Sequence, residues 1–144
     1  MIYRLFAISL AVTIAALPRA VSAQACNPIG AWEVYALTFT QPDGTIEEVD
    51  ISNPPGLKIL SETHWAFVEQ NEEGNPIPTS GGGGTYTIDG TTYTETVQYH
   101  AARDFIGKSI PFECKVEGDF WYQSGVLPGG TKLEEVYRRA GQHK

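Results

Sequence analysis

The sequence predicts an all-β protein: one eight-stranded up-and-down antiparallel barrel. Three observations carry that reading. From Gly81 to Arg139, short runs of alternating character follow one another: GTYTI, TTYTETVQYH, KSIPFECKVE, FWYQSGVL and TKLEEVYRR. Turn-forming sequences separate most of them, at Asp89-Gly90, Gly118-Asp119 and Pro128-Gly129-Gly130. No segment sustains the 3.6-residue apolar period of a helix.

The N-terminal 23 residues read as an export leader. Arg4 supplies a positive start, LFAISLAVTIAAL is a short apolar run, and Val21-Ser22-Ala23 is a small-residue cleavage site, with a second after Ala25. The run is broken by Pro18 and Arg19 and is shorter than a membrane-spanning helix, so no stable membrane insertion is expected after cleavage. The remainder, residues 24–144, suffices for one domain with one core. The expected location is periplasmic or secreted. A lipoprotein anchored through Cys26 is the alternative, disfavoured because Ala23 stands where lipidation wants a large apolar residue.

The chain carries 17 acidic and 10 basic residues, a net charge of −7. Loss of Arg4 and Arg19 with the leader deepens this by two units. With no basic run, phosphate backbones and anionic lipids would repel the surface, and nucleic acid is excluded as a partner. The two cysteines, Cys26 and Cys114, allow one intramolecular disulfide in an oxidising compartment. Two free thiols or a lipidated Cys26 are the competing readings. Two cysteines make no metal site, and no motif asks for a cofactor.

The first strand, AWEVYALTFT, alternates Trp32, Val34, Ala36 and Thr38 on one face with Glu33, Tyr35, Leu37 and Phe39 on the other. A turn at Gln41-Pro42-Asp43-Gly44 opens a long acidic connection to LKIL, with room for a short edge strand at 45–49. THWAFVEQ follows, then a polar loop over 71–82, with Gly81–Gly84 as flexible lead-in to GTYTI. Counted this way, the connections 41–56, 71–82 and 101–107 are long, and those between are tight. An up-and-down barrel puts alternate connections at opposite ends. The result is a cup with a loop-rimmed mouth and a narrow base, where Trp32, Arg138, Cys26 and Cys114 gather.

Gly30-Ala31-Trp32 on the first strand, with an arginine ending the last, resembles the lipocalin signature, in which an arginine packs over the tryptophan ring at the base. The segments KILSETHWAFVE, SGGGGTYTIDGTTYTETVQYH, GKSIPFECKVEGDFWYQSG and KLEEVYRR resemble the bacterial lipocalin-like domain family, small exported calycin-type proteins mostly of unknown function. The resemblance implies a lipocalin-like barrel and supplies no catalytic residues. The long helix that follows the barrel in secreted lipocalins has no room here.

Within the expected barrel, Tyr93, Glu95, Val97 and Tyr99 share the aromatic and apolar face of one strand, so that face is expected inside. A carboxylate held there either takes up a proton or finds a donor. Tyr93, Glu95, Tyr99, His100 at the mouth, and Tyr122 are the candidate ligand-binding residues, since tyrosine joins a large apolar body to one polar handle. No nucleophile elbow, HExxH or phosphate loop is present. Three readings stay open: a barrel holding a small, mainly apolar ligand; a structural or interaction module with a filled barrel; and an isomerase or cyclase using a buried Glu95.

Overall fold

A computed structural model describes residues 26–51, 56–71 and 75–141, and within 76–79 the backbone alone. The expected leader and both cleavage sites lie outside the described residues. The strands are β1 (Gly30–Thr40), β2 (Ile46–Glu48), β3 (Gly56–Leu60), β4 (His64–Gln70), β5 (Pro76–Asp89), β6 (Thr92–His100), β7 (Ser109–Glu117), β8 (Phe120–Val126) and β9 (Lys132–Arg139). Each pairs antiparallel with its neighbour, and β9 returns to β1 from Trp32↔Arg139 to Thr40↔Lys132, which closes the sheet. Closure removes the edges that an open sheet would expose. β2 and β3 both pair with the same side of β1, β2 along Thr38–Thr40 and β3 along Gly30–Glu33. They therefore share one position in the barrel, and nine segments make eight staves.

Three expectations about connections change. The link after β1 is a tight turn, with Gln41 N–H donating to Thr45 O and Gly44 N–H to Gln41 O. The expected acidic connection instead contains β2, and β3 takes up the same stave from Gly56. The loop expected over 71–82 is shorter, because β5 begins at Pro76; Gly81–Gly84 lies inside it, paired across Val68, Phe67, Ala66 and Trp65 of β4. Glycine is required there by close approach. A Cβ on Gly82 would sit 2.7 Å from the His100 ring and 2.9 Å from the Phe67 ring.

The base is aromatic. Trp32, Tyr93 and Trp121 are fully buried. Trp121 meets Trp32 edge-on at 5.8 Å and Tyr93 edge-on at 5.6 Å, and stacks on Tyr137 at 4.7 Å. Such pairs contribute about 0.5–1.5 kcal/mol each beyond the area they bury. The Trp32 indole donates to Pro28 O at 2.6 Å.

The arginine over Trp32 is Arg139, not Arg138: its Cζ lies 4.2 Å from the ring centroid. Leu133, Glu135, Tyr137 and Arg139 alternate inward along β9, so Arg138 faces out, over Tyr35 and beside Glu33. Gly30 completes the motif. Its φ of +130° disfavours other residues, and a Cβ there would lie 2.8 Å from Arg139 Nη1. The Cys26–Cys114 disulfide forms as expected, with Cα atoms 5.5 Å apart, and ties the segment before β1 to β7 across 88 residues.

Candidate functional site

The barrel interior divides at mid-height. Below, aromatic rings fill it. Above, a cavity of about 180 Å³ remains, reaching from Lys58 and Tyr137 up to His100 and Phe105 at the mouth. Leu37, Phe39, Val97 and Leu133 form apolar wall, and Glu69, Glu95, Gln123 and Glu135 add polar groups. A broader depression of about 700 Å³ lies on the outer surface of β7, β8, β9 and β1, lined by side chains such as Lys115, Tyr122 and Glu134.

Lys58 and Glu95 form the floor of the cavity. Lys58 Nζ donates to Glu95 Oε1 at 2.5 Å, and both side chains are about 95% removed from water. Five rings surround the ammonium at 5.2–6.0 Å: Trp65, Tyr93, Phe112, Trp121 and Tyr137. The ring faces stabilise the cation electrostatically while excluding the water that would otherwise solvate it. Glu95 is thus the buried carboxylate that alternation predicts, and its donor is a lysine.

Glu135 lies beside this pair on β9. Its Oε2 accepts from Gln123 Nε2 at 2.9 Å and its Oε1 from Tyr137 Oη at 2.6 Å. Burial pushes the Glu135 carboxyl above its usual range, against the lowering effects of Lys58 and of the Tyr137 hydroxyl. Burial likewise raises the Tyr137 phenol well above its ordinary value, and the Glu135 charge and hydrogen bond add to it. Tyr93 moves in the same direction, chiefly through burial and next through Glu95. Higher up, the Ser80 hydroxyl donates to Glu69 Oε2. At the mouth His100 stacks on Phe105 at 4.6 Å and leans on Phe67 at 5.7 Å.

Of the expected ligand-facing residues, Tyr93, Glu95 and His100 face the interior. Tyr93 belongs to the filled base, while Glu95 and His100 line the cavity. Tyr99 and Tyr122 do not face it. On β6, Val97 pairs with Gly84 and Tyr99 with Gly83, so Gln98 is an extra residue. This bulge reverses alternation, turning Tyr99 out to 73% exposure and His100 in. A second irregularity, at Tyr35 between Val34 and Ala36, does the same on β1. Trp32 and Val34 face in, and then Leu37 and Phe39 rather than Ala36 and Thr38. Tyr122 points outward for a simpler reason: its neighbour Trp121 is fully buried, and adjacent residues of a strand face opposite ways.

Sequence reasoning missed Lys58, Glu69 and Gln123, and gave Glu135 no place among the ligand-binding residues. A usable signal existed for Lys58, which pairs directly with Trp32. Cross-strand partners share a face, so an inward Trp32 brings Lys58 inward with it. His64, at the base, is exposed and bonds to the Thr63 hydroxyl at 2.7 Å.

No protein-family profile matches the chain, and no curated protein sequence matches it. Among solved structures, it is similar to a lipocalin-like protein from Bacteroides uniformis at 14% identity, covering 77% of this chain and 96% of that one, with a TM-score of 0.49. It is similar to an uncharacterized protein from Bacteroides eggerthii at 15% identity, covering 77% and 98%, with a TM-score of 0.49. A redesigned β-barrel aligns at 18% identity, covering 77% and 90%, with a TM-score of 0.46. The eight-stave closed topology and the Trp32–Arg139 stack stand on the chain's own geometry.

Proposed function

We propose that the protein is an exported lipocalin-like barrel that binds one small, mainly apolar molecule in the upper half of its interior. The observation that carries this reading is the cavity of about 180 Å³ above a filled base. An engineered apolar cavity of about 150 Å³ holds benzene, so the ligand is of single-ring or short-chain size, below the range of drug-sized pockets. The leader-like N-terminus and the Cys26–Cys114 bridge support a periplasmic or secreted location. A cysteine in a disulfide has no thiol to acylate, which argues against anchoring through Cys26. The Lys58 ion pair on Glu95 counts against the isomerase or cyclase reading.

Native mass spectrometry of protein purified from its own host should show a bound mass in the range of one ring with few substituents. Filling the cavity with Val97→Phe should abolish that adduct while the far-ultraviolet circular dichroism stays that of a β-barrel. An adduct that persists in Val97→Phe, or no binding by any single-ring compound in calorimetry, would instead favour a filled structural module.

A further inference from the structure

The polar lining of the cavity is unbalanced. Three acidic side chains, Glu69, Glu95 and Glu135, face it with one lysine, Lys58. Lys58 is committed to Glu95. Glu69 has the Ser80 hydroxyl, and Glu135 has the Gln123 amide and the Tyr137 hydroxyl. Among the described residues, no ion pair joins either carboxylate to a cation. A carboxylate partly withdrawn from water with no cation paired to it favours a counter-cation.

An independent observation points the same way. Gln123 is 3% exposed and lines the cavity, and its Oε1 has no hydrogen-bond partner. With Nε2 donating to Glu135, the amide leaves an acceptor where a native interior normally supplies a donor. Glu135 and Gln123 therefore lack a positive charge and an N–H or O–H. A protonated amine offers both, with three donors on one compact head.

Resting on the binding reading above, we propose that the ligand is a small primary amine bound as its ammonium. Its head lies between Glu135 and the Gln123 carbonyl, and a one-ring or short-chain body lies against Leu37, Phe39 and Val97. The mouth residues His100 and Phe105 would close over the body of the ligand.

Isothermal titration calorimetry at neutral pH with three isosteric probes, benzylamine, benzyl alcohol and benzoate, tests this. Benzylamine should bind at least tenfold more tightly than benzyl alcohol, and benzoate should not bind. Glu135→Gln should bring benzylamine down to the level of benzyl alcohol. Glu69→Gln, at a half-buried position nearer the mouth, should lower the amine preference in the same direction and serves should Glu135→Gln fail to fold. Equal binding of amine and alcohol, or a preference that survives both variants, overturns the amine assignment while the cavity still binds. Absence of binding by all three probes overturns the assignment and the binding reading together.

Discussion

The two halves of this barrel are built on opposite rules. Below mid-height the interior is aromatic and close-packed, a disulfide ties the chain across it, and Arg139 covers its tryptophan. Above mid-height the interior holds a cavity and a surplus of carboxylates. A polar cavity costs stability, because buried polar groups need partners and voids forgo dispersion contacts. The filled base offsets that cost, which leaves the upper half free to be a site. Perturbing the base should change stability with little effect on binding, and perturbing the upper half should do the reverse. The Lys58–Glu95 pair sits on the boundary and belongs to both.

The largest effect belongs to the disulfide. Closing a loop of 88 residues limits the unfolded chain by about 4–5 kcal/mol on the chain-entropy account. Cys26→Ser with Cys114→Ser should lower the urea midpoint accordingly. At low temperature the folded double variant should still bind single-ring compounds as the parent does. A midpoint that barely moves would mean that the aromatic base holds itself closed.

Next comes the boundary pair. Lys58→Met leaves Glu95 buried among rings without a counter-charge, a loss of about 3–5 kcal/mol. Lys58→Met combined with Glu95→Leu removes both charges, and such replacements are often neutral or stabilising by about 1–4 kcal/mol. Thermal melts of the two variants compare these costs directly. If the single variant melts like the parent, the pair is not desolvated as its geometry indicates. Arg139→Met should cost less, on the order of 1–2 kcal/mol for a partly desolvated cation on an indole. Arg138→Met, on the outer face, should cost a fraction of that. Equal losses at the two positions would remove the distinction between base and exterior.

Which parts of this were legible in the sequence follows from the same division. Turn chemistry and period-two alternation give the staves from β4 to β9, the closed topology and the base, because glycine turns and strand alternation are local properties. The Cys26–Cys114 bridge was legible from the cysteine count and the placing of both segments at the base, and the Trp32–arginine stack from the resemblance to the lipocalin signature. Which arginine stacks depends on one residue of register, and alternation from Leu133 settles it as Arg139. The site was less legible. Tyr99 turns out, and Leu37 turns in, because bulges at Gln98 and Tyr35 each add one residue to a strand. A bulge is set by the partner strand: Gly84 lacks a Cβ that would strike Thr96 O, which lets β6 buckle toward it. Lys58 hides in LKIL because that run is apolar on both faces and yields no inward side by itself. Tyr122, expected at the ligand, faces out by alternation alone once its neighbour Trp121 is placed inside.

The smallest expected effect separates the halves by pH rather than by magnitude. Glu135 has a folded-state carboxyl raised above its ordinary value of 4.5, with burial as the first cause. The groups facing it are Lys58 on β3, Glu69 on β4, Glu95 on β6 and Tyr137 on its own strand. A raised value means that the folded state holds this proton more tightly than the unfolded chain does. Its contribution is then fully present below the unfolded value and lost as pH rises through the folded one. Glu135→Gln removes the titration and keeps the shape. The melting temperature of Glu135→Gln minus that of the parent should therefore grow as pH rises above 4.5 and level off once pH passes the folded-state value. Gln123→Met, which leaves the carboxyl buried, should keep a parent-like slope. A difference that stays flat with pH would mean that Glu135 ionises as freely as in water, and the upper half would then be solvent-filled rather than a desolvated site.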